Sequence, residues 1–219
     1  MKHCIIPTVF AHSFLEFKAR FTKLVKITNA LQIDFMDGVL VPGISMPLSV
    51  VPELKKYKIA FEAHLMVADP EKWIAEIAKK GFRKIIVHLE AIKNHDRGLD
   101  LIHRINAVNA KPMLAINPET SMEELGPFMD AIDEILVMGV HPGKEHQGLE
   151  PNTARRIITL KRMKPKLWVQ VDGGVNADNI GELAAAGADA INSGSFIADS
   201  QNPRAVLRLL EKKFREGKK

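Results

Sequence analysis

Asp34 and Asp172 are the residues from which chemistry is most directly read. Each stands at the C-terminal end of a short apolar run, LQIDF (31 to 35) and LWVQVD (167 to 172). A carboxylate at the inner end of a strand is partly desolvated, which raises its pKa unless a cation or hydrogen bonds compensate. Two carboxylates flanking one substrate carbon can remove a proton from one face and return it to the other. His64, in AFEAHLM (60 to 66), adds an imidazole. With the two aspartates it makes a mixed nitrogen and oxygen set suited to zinc, iron, manganese or cobalt. Such an ion acidifies a carbon next to a bound carbonyl. Alone, one aspartate reads as a cap or a barrel salt bridge, and one histidine as a hydrogen-bonded core residue. Their joint placement favours a site.

A second chemical signal lies near the end of the chain. VDGGV (171 to 175) and SGS (193 to 195) place Gly173, Gly174, Gly194 and Ser195 just beyond two apolar runs. Glycines let backbone N–H groups approach an anion closely, so the pair of loops reads as a phosphate cradle rather than as two tight turns. HPGKEHQG (141 to 148) is long, polar and flanked by glycine, as a closing lid would be, with Lys144 or His146 able to reach a ligand.

The elements that must carry these residues recur along the whole chain. Eight apolar runs, at 4–10, 31–35, 60–66, 84–90, 112–117, 134–140, 167–172 and 189–195, alternate with segments of helical length. This is the pattern of repeated βα units. In 69–82, Trp73, Ile74, Ile77 and Ala78 fall on one face, Asp69 before Pro70 is placed as an N-cap, and Gly81 as a stop. In 176–190, Asn176 is expected to cap and Gly187 to terminate. Asp34, His64, Glu90, Asn117, His141, Asp172 and Ser195 all lie at or just beyond the end of a run. In a closed barrel those ends converge on one mouth, so the expected fold is α/β, a (β/α)8 TIM barrel formed by residues 1–219 as a single domain.

Composition narrows the class. Hydrophobic residues make up 46% and charged residues 26% of 219 residues, which fits a folded globular chain. Cys4 is the only cysteine, excluding an intrachain disulfide and a thiolate zinc cluster. Charged residues at Glu16, Lys18 and Arg20 come too early for a signal peptide, and no run approaches the roughly 18 apolar residues of a membrane span. The expected location is cytoplasmic, with no membrane partner. The net charge of +5 is concentrated partly in Lys212, Lys213, Arg215, Lys218 and Lys219, without aromatic interleaving, so a solvated helix face is expected rather than a nucleic-acid surface.

IDFMDG with VLVP (33 to 42), AHLMV with DP (63 to 70), VHLEA (87 to 91), NPET (117 to 120), LVMGVHPG (136 to 143), VDGGVN (171 to 176) and GS (194 to 195) follow one another in a familiar order. Over roughly residues 5 to 200 the chain resembles the ribulose-phosphate 3-epimerase family. The resemblance implies an isomerase of carbohydrate metabolism, in the pentose phosphate pathway, that interconverts D-ribulose 5-phosphate and D-xylulose 5-phosphate by proton transfer at C3. It implies Asp34 and Asp172 as the proton-transfer groups and, with His64, as ligands of one divalent ion (Zn, Fe, Mn or Co). Met36, Met66 and Met138 match methionines that line the family's site. Gly173, Gly174, Gly194 and Ser195 match its phosphate subsite, Thr8 replaces its strand-1 serine, and Gly143 belongs to its lid. The partner implied is a small-molecule sugar phosphate, and a homo-oligomer is compatible with the sequence.

The chain departs from the family at informative places. The family's first ligating histidine is Gln32 here. Its amide oxygen is a poor fourth ligand, and its N–H could instead donate to an enediolate oxygen in a metal-free design. The lid reads Pro142-Gly143-Lys144-Glu145-His146, without the family's usual Gly-Phe-Gly-Gly, and His141 replaces an asparagine. Two other readings fit the same residues: a 3-epimerase for a six-carbon ketose phosphate, or a catalytically silent barrel that binds a phosphosugar.

Overall fold

A computed structural model describes residues 4–219. Eight strands carry the fold: β1 (Ile5–Val9), β2 (Ala30–Met36), β3 (Ala60–Met66), β4 (Lys84–His88), β5 (Lys111–Ile116), β6 (Glu134–Met138), β7 (Trp168–Asp172) and β8 (Ala190–Ser193). Each pairs in parallel with the next and β8 pairs with β1, closing the barrel. All eight coincide with the predicted runs to within a few residues at their ends. Helices α1 (Phe14–Leu24), α2 (Ile74–Lys80), α3 (His95–Ala107), α4 (Met122–Leu125), α5 (Thr153–Met163), α6 (Ile180–Ala186), α7 (Ser195–Ala198) and α8 (Pro203–Gly217) lie between and after them. Among the described residues no helix is long and apolar enough to cross a membrane.

The strands alternate in a way that explains their polar content. Leu31, Ile33 and Phe35 of β2, Phe61, Ala63 and Leu65 of β3, and Val169 and Val171 of β7 belong to the main apolar core, together with helix residues such as Phe21, Ile77 and Ile180. Successive side chains of a strand point to opposite faces, so this set is the outer face of the barrel wall. Each large apolar side chain buried there contributes about 1.5–3 kcal/mol. The other parity, Gln32 and Asp34, Glu62 and His64, Gln170 and Asp172, points inward, and all six are buried. A polar residue at every second position of a fully buried strand is therefore a residue of the barrel interior.

Local departures have local causes. The segment after β2 forms two short 3-10 turns, Leu48–Val50 and Leu54–Lys56, in place of a helix. Pro42, Pro47 and Pro52 interrupt any helical hydrogen-bond ladder there. Asp69 does not cap α2: its carboxylate pairs with Lys72 at 2.7 Å, and Pro70–Lys72 form a 3-10 turn ahead of the helix. Gly81 and Gly187 do end α2 and α6 in left-handed conformation, φ 107° and 114°. Asn176 lies in a turn that precedes α6, where its side chain accepts from the N–H groups of Asp178 and Asn179.

Candidate active site

Strand register alone brings the principal residues together. Asp34 on β2 is level with His64 on β3, and Asp172 on β7 is level with Asn192 on β8. Inside the closed barrel, Nδ1 of His64 lies 3.1 Å from Oδ1 of Asp34 and 3.6 Å from Oδ2 of Asp172. Among the described residues this is the single group of side chains placed to hold a metal, with one ligand atom from each residue within 4.8 Å of the others. Burial pushes the Asp34 carboxyl up to about 7, against an opposing hydrogen bond from Gln32. Burial, followed by the negative charge of Asp34, pushes Asp172 up to about 6.

A directed chain of side chains orients Gln32. Lys84, a donor only, gives a hydrogen bond to Oε1 of Gln170 (3.3 Å), which turns the Gln170 amide nitrogen toward Glu62 (2.8 Å) and Oδ1 of Asn192 (2.6 Å). The Asn192 amide nitrogen then donates to Oε1 of Gln32 (2.8 Å) and to Thr8 (3.3 Å). Gln32 is left with its nitrogen facing both acids, donating to Asp34 at 2.9 Å and to Asp172 at 2.6 Å. Its oxygen is turned away from the cluster. This corrects the expectation that Gln32 supplies a fourth ligand, because an N–H group has no lone pair for a metal. Its donors go to the carboxylates, and the side chain is fully buried and does not line the cavity.

A second directed chain fixes the tautomer of His64. Burial holds both His64 and His88 below the usual histidine pKa, so both rings are neutral. Burial alone would raise Glu90, but hydrogen bonds from His88, the Asn117 N–H and the Thr120 hydroxyl outweigh it and keep this carboxylate ionised. Glu90 accepts from Nδ1 of His88 at 3.0 Å. Nε2 of His88 is then an acceptor and takes the Nε2–H of His64 at 2.9 Å, the two rings meeting edge to edge within 17° of parallel with centroids 5.0 Å apart. The result is a His64 Nδ1 lone pair that faces the same two carboxylate oxygens and stands 3.4 Å from the Gln32 amide nitrogen. The three acceptor atoms already share the Gln32 donors, and their remaining lone-pair capacity suits a cation or a shared proton. Asp34, Asp172 and His64 therefore fit a divalent ion as a ligand set, without Gln32.

A cavity of about 530 Å³ opens above this cluster. Thr8, Asp34, His64, Met66, Met138, Asp172 and Gly143 line it, as do Gly173, Gly174, Gly194 and Ser195 at one end. Gly173 and Gly174 have φ of 94° and 71°, and a Cβ on Gly174 would lie 2.6 Å from the Leu149 backbone, so this turn requires glycine. Met36 packs with Phe10, Val41 and Met66 and does not line the cavity. Nor do Glu90, Asn117 and His141, contrary to the expectation that all seven strand-end residues share the mouth. Glu90 and Asn117 are spent on the His88 support, while His141 stays exposed between Glu119 and Glu150. Lys144 and His146 stand exposed on the rim, and Glu145 turns inward.

Sequence reasoning passed over His88, Gln170, Asn192, Arg20 and Glu145 as functional residues. A signal existed for the first three, since each shares inward parity with a residue already singled out, or sits at the inward end of its strand. No comparable signal marks Arg20 or Glu145, whose meeting depends on a loop conformation.

The chain matches the model of the Ribulose-phosphate 3 epimerase family over residues 4–198. It is 31% identical to the ribulose-phosphate 3-epimerase, cytoplasmic isoform, of Oryza sativa over 213 residues, 95% of this chain and 92% of that one. It is 32% identical to the ribulose-phosphate 3-epimerase of Escherichia coli K12, covering 94% of this chain and 93% of that one. Among solved structures, 3-keto-L-gulonate-6-phosphate decarboxylase from Vibrio cholerae superposes with a TM-score of 0.78 at 10% identity over 99% of both chains. The 3-hexulose-6-phosphate synthase of Salmonella typhimurium gives 0.73 at 12% identity over 98% and 99%. At such low identity these two speak for the fold alone. With its motifs in order on a closed barrel and its match spanning nearly the whole length, the chain belongs to the ribulose-phosphate 3-epimerase family.

Proposed function

We propose that the protein catalyses the 3-epimerisation of D-ribulose 5-phosphate and D-xylulose 5-phosphate, with Asp34 and Asp172 as its proton-transfer groups. The observation that carries this reading is the pair of buried carboxylates facing one cavity, each with its pKa raised toward neutrality. A base with a pKa near the working pH combines a useful ionised fraction with a proton it can return. One carboxylate of the pair, ionised, removes the C3 proton from one face. The other, protonated, delivers a proton to the opposite face, and the roles exchange in the reverse direction. Gln32 holds the two carboxylates in register through one amide nitrogen, while His88 and Glu90 hold the His64 ring.

Asp34, Asp172 and Nδ1 of His64 would hold one divalent ion (zinc, iron, manganese or cobalt), which supplies positive charge to the oxygen beside the reacting carbon. The phosphate end of the substrate is assigned to Gly173, Gly174, Gly194 and Ser195, which line one end of the cavity and whose glycines let backbone N–H groups approach an anion closely. Met66 and Met138 give the middle of the pocket a polarisable apolar wall. Thr8 and Gly143 close its remaining sides. A cytoplasmic location agrees with the rice relative.

The test is a coupled assay for xylulose 5-phosphate formation from ribulose 5-phosphate, run on chelated protein and after adding zinc, manganese, cobalt or iron in turn. Turnover in at least one condition is expected. Inactivity under all of them, with the folded protein still binding the sugar phosphate, would establish a silent barrel instead.

A further inference from the structure

The lid carries an acid into the end of the cavity where the substrate's phosphate is expected. Glu145 lies between exposed Lys144 and His146 and itself turns inward. Its Oε1 is buried, has no hydrogen-bond partner, and lies 3.3 Å from where a Cβ on Gly194 would stand. Its Oε2 accepts from Nη1 of Arg20 on α1 at 2.7 Å, with both side chains more than four-fifths buried. A buried carboxylate with one oxygen satisfied by a guanidinium and the other by no donor is only half held, so the Arg20 contact is what keeps it in the cavity. Nη1 of Arg20 has two hydrogens. One goes to the Phe10 carbonyl at 2.7 Å and the other to Glu145, so loss of Glu145, which lines the cavity, frees the charged donor that stands behind it. Nη2 is meanwhile held by Asp199 at 3.1 Å, which keeps the guanidinium plane in place when the lid departs.

We propose that Arg20 is the cation that meets a phosphate monoester at this end of the pocket, and that Glu145 occupies the same place until substrate displaces it. This rests on the reading of the ligand as a sugar phosphate. A carboxylate and a phosphate dianion cannot share a small, partly desolvated volume, so the lid must withdraw Glu145 as the ligand enters. Glu145 therefore competes with the ligand from within the chain, and the guanidinium is the common partner. A single Nη1 hydrogen passes from the Glu145 oxygen to the phosphate, while the Phe10 carbonyl and Asp199 hold the always-charged guanidinium in place.

The test is calorimetric titration of inorganic phosphate into the purified chain and its variants. Glu145→Ala and Glu145→Gln should each tighten phosphate by about tenfold, since the competitor is gone or uncharged. Arg20→Gln should weaken it about tenfold, Arg20→Lys by less, and the double variant Arg20→Gln with Glu145→Ala should lose the gain. The loop substitutions remove no core packing, so they decide the matter even if Arg20→Gln fails to fold. Unchanged or weaker phosphate binding by Glu145→Ala overturns the proposal, as does a double variant that binds as tightly as Glu145→Ala, or phosphate binding by none of the proteins. These readings are independent of turnover. Tightening by Glu145→Ala in a chain that epimerises no ketose phosphate would refute the proposed reaction and leave this inference standing. Ordinary epimerase activity with phosphate affinity indifferent to both residues would refute the inference alone.

Discussion

The barrel interior buries charge at both ends and treats it in opposite ways. At the floor, Lys84 lies 2.8 Å from Glu62 and 2.9 Å from Glu134, and Lys111 reaches Glu134 at 2.6 Å. Burial alone would lower Lys84 and raise Glu134, yet the opposite charges outweigh it, so Lys84 is raised and Glu134 lowered. At the mouth, among the described residues, no lysine or arginine pairs with Asp34 or Asp172, and both acids are raised. The floor is neutralised within the chain, and the mouth is left unneutralised. A buried cluster that the protein does not satisfy by itself is one poised for a ligand, a metal or a proton.

That contrast is broken most sharply by activity. Asp34→Asn and Asp172→Asn should each lower epimerisation by at least about a thousandfold, because inversion needs both faces served. The variant that keeps the base for a given direction should still exchange the C3 hydrogen with deuterated solvent. Near-normal turnover in either variant would remove the mouth's claim to chemistry.

Stability should separate the two ends by sign. Lys84→Met strands buried carboxylates and should cost about 3 kcal/mol in urea unfolding. Asp34→Asn, in chelated protein at pH 7.5, should instead stabilise by on the order of 2 kcal/mol. The sign follows from linkage: a carboxyl with a raised folded-state pKa is fully tolerated below its unfolded value and destabilises as pH climbs toward the folded one. For Asp34 that window runs from 3.8 to about 7, so the advantage of Asp34→Asn should vanish at pH 4. An advantage that persists unchanged at pH 4 would show that charge burial is not its source.

Smaller effects sharpen the picture. Gln32→Met keeps the volume and removes both donors, so the acidic limb of the kcat/KM profile should move up by about one pH unit or less. A limb that stays in place would mean that Gln32 only fills space. His141→Ala should change turnover less than about twofold and stability by under about 0.5 kcal/mol, since this exposed side chain lies outside the cavity.

Most of the frame was legible because strand ends announce themselves. β-rich runs of the right length, each closed by a polar residue, gave Asp34, His64 and Asp172 their common mouth before any coordinates. The missing helix after β2 was not legible from periodicity, though three prolines in that segment explain it. Met36 was drawn into the site by resemblance, and parity alone places it inward without deciding whether Met66 covers it. Gln32 illustrates the limit best. The sequence offered either end of its amide, and only the hydrogen-bond path through Asn192 and Gln170, both on other strands, chooses the nitrogen.

That path has a consequence for inheritance. An amide can point either way, but here the arrow is set at Lys84 and handed on through Gln170 and Asn192 to Gln32, a relay spread over four strands. Changing any one member leaves the next amide with an unpaired end and no constraint on which way it points. The four positions are therefore expected to behave epistatically, each tolerable substitution depending on the others. A double-mutant cycle between Lys84 and Asn192, with unfolding free energy as its readout, should show a coupling of about 1 kcal/mol although the two side chains do not touch. Additive effects would mean that each amide finds its orientation locally.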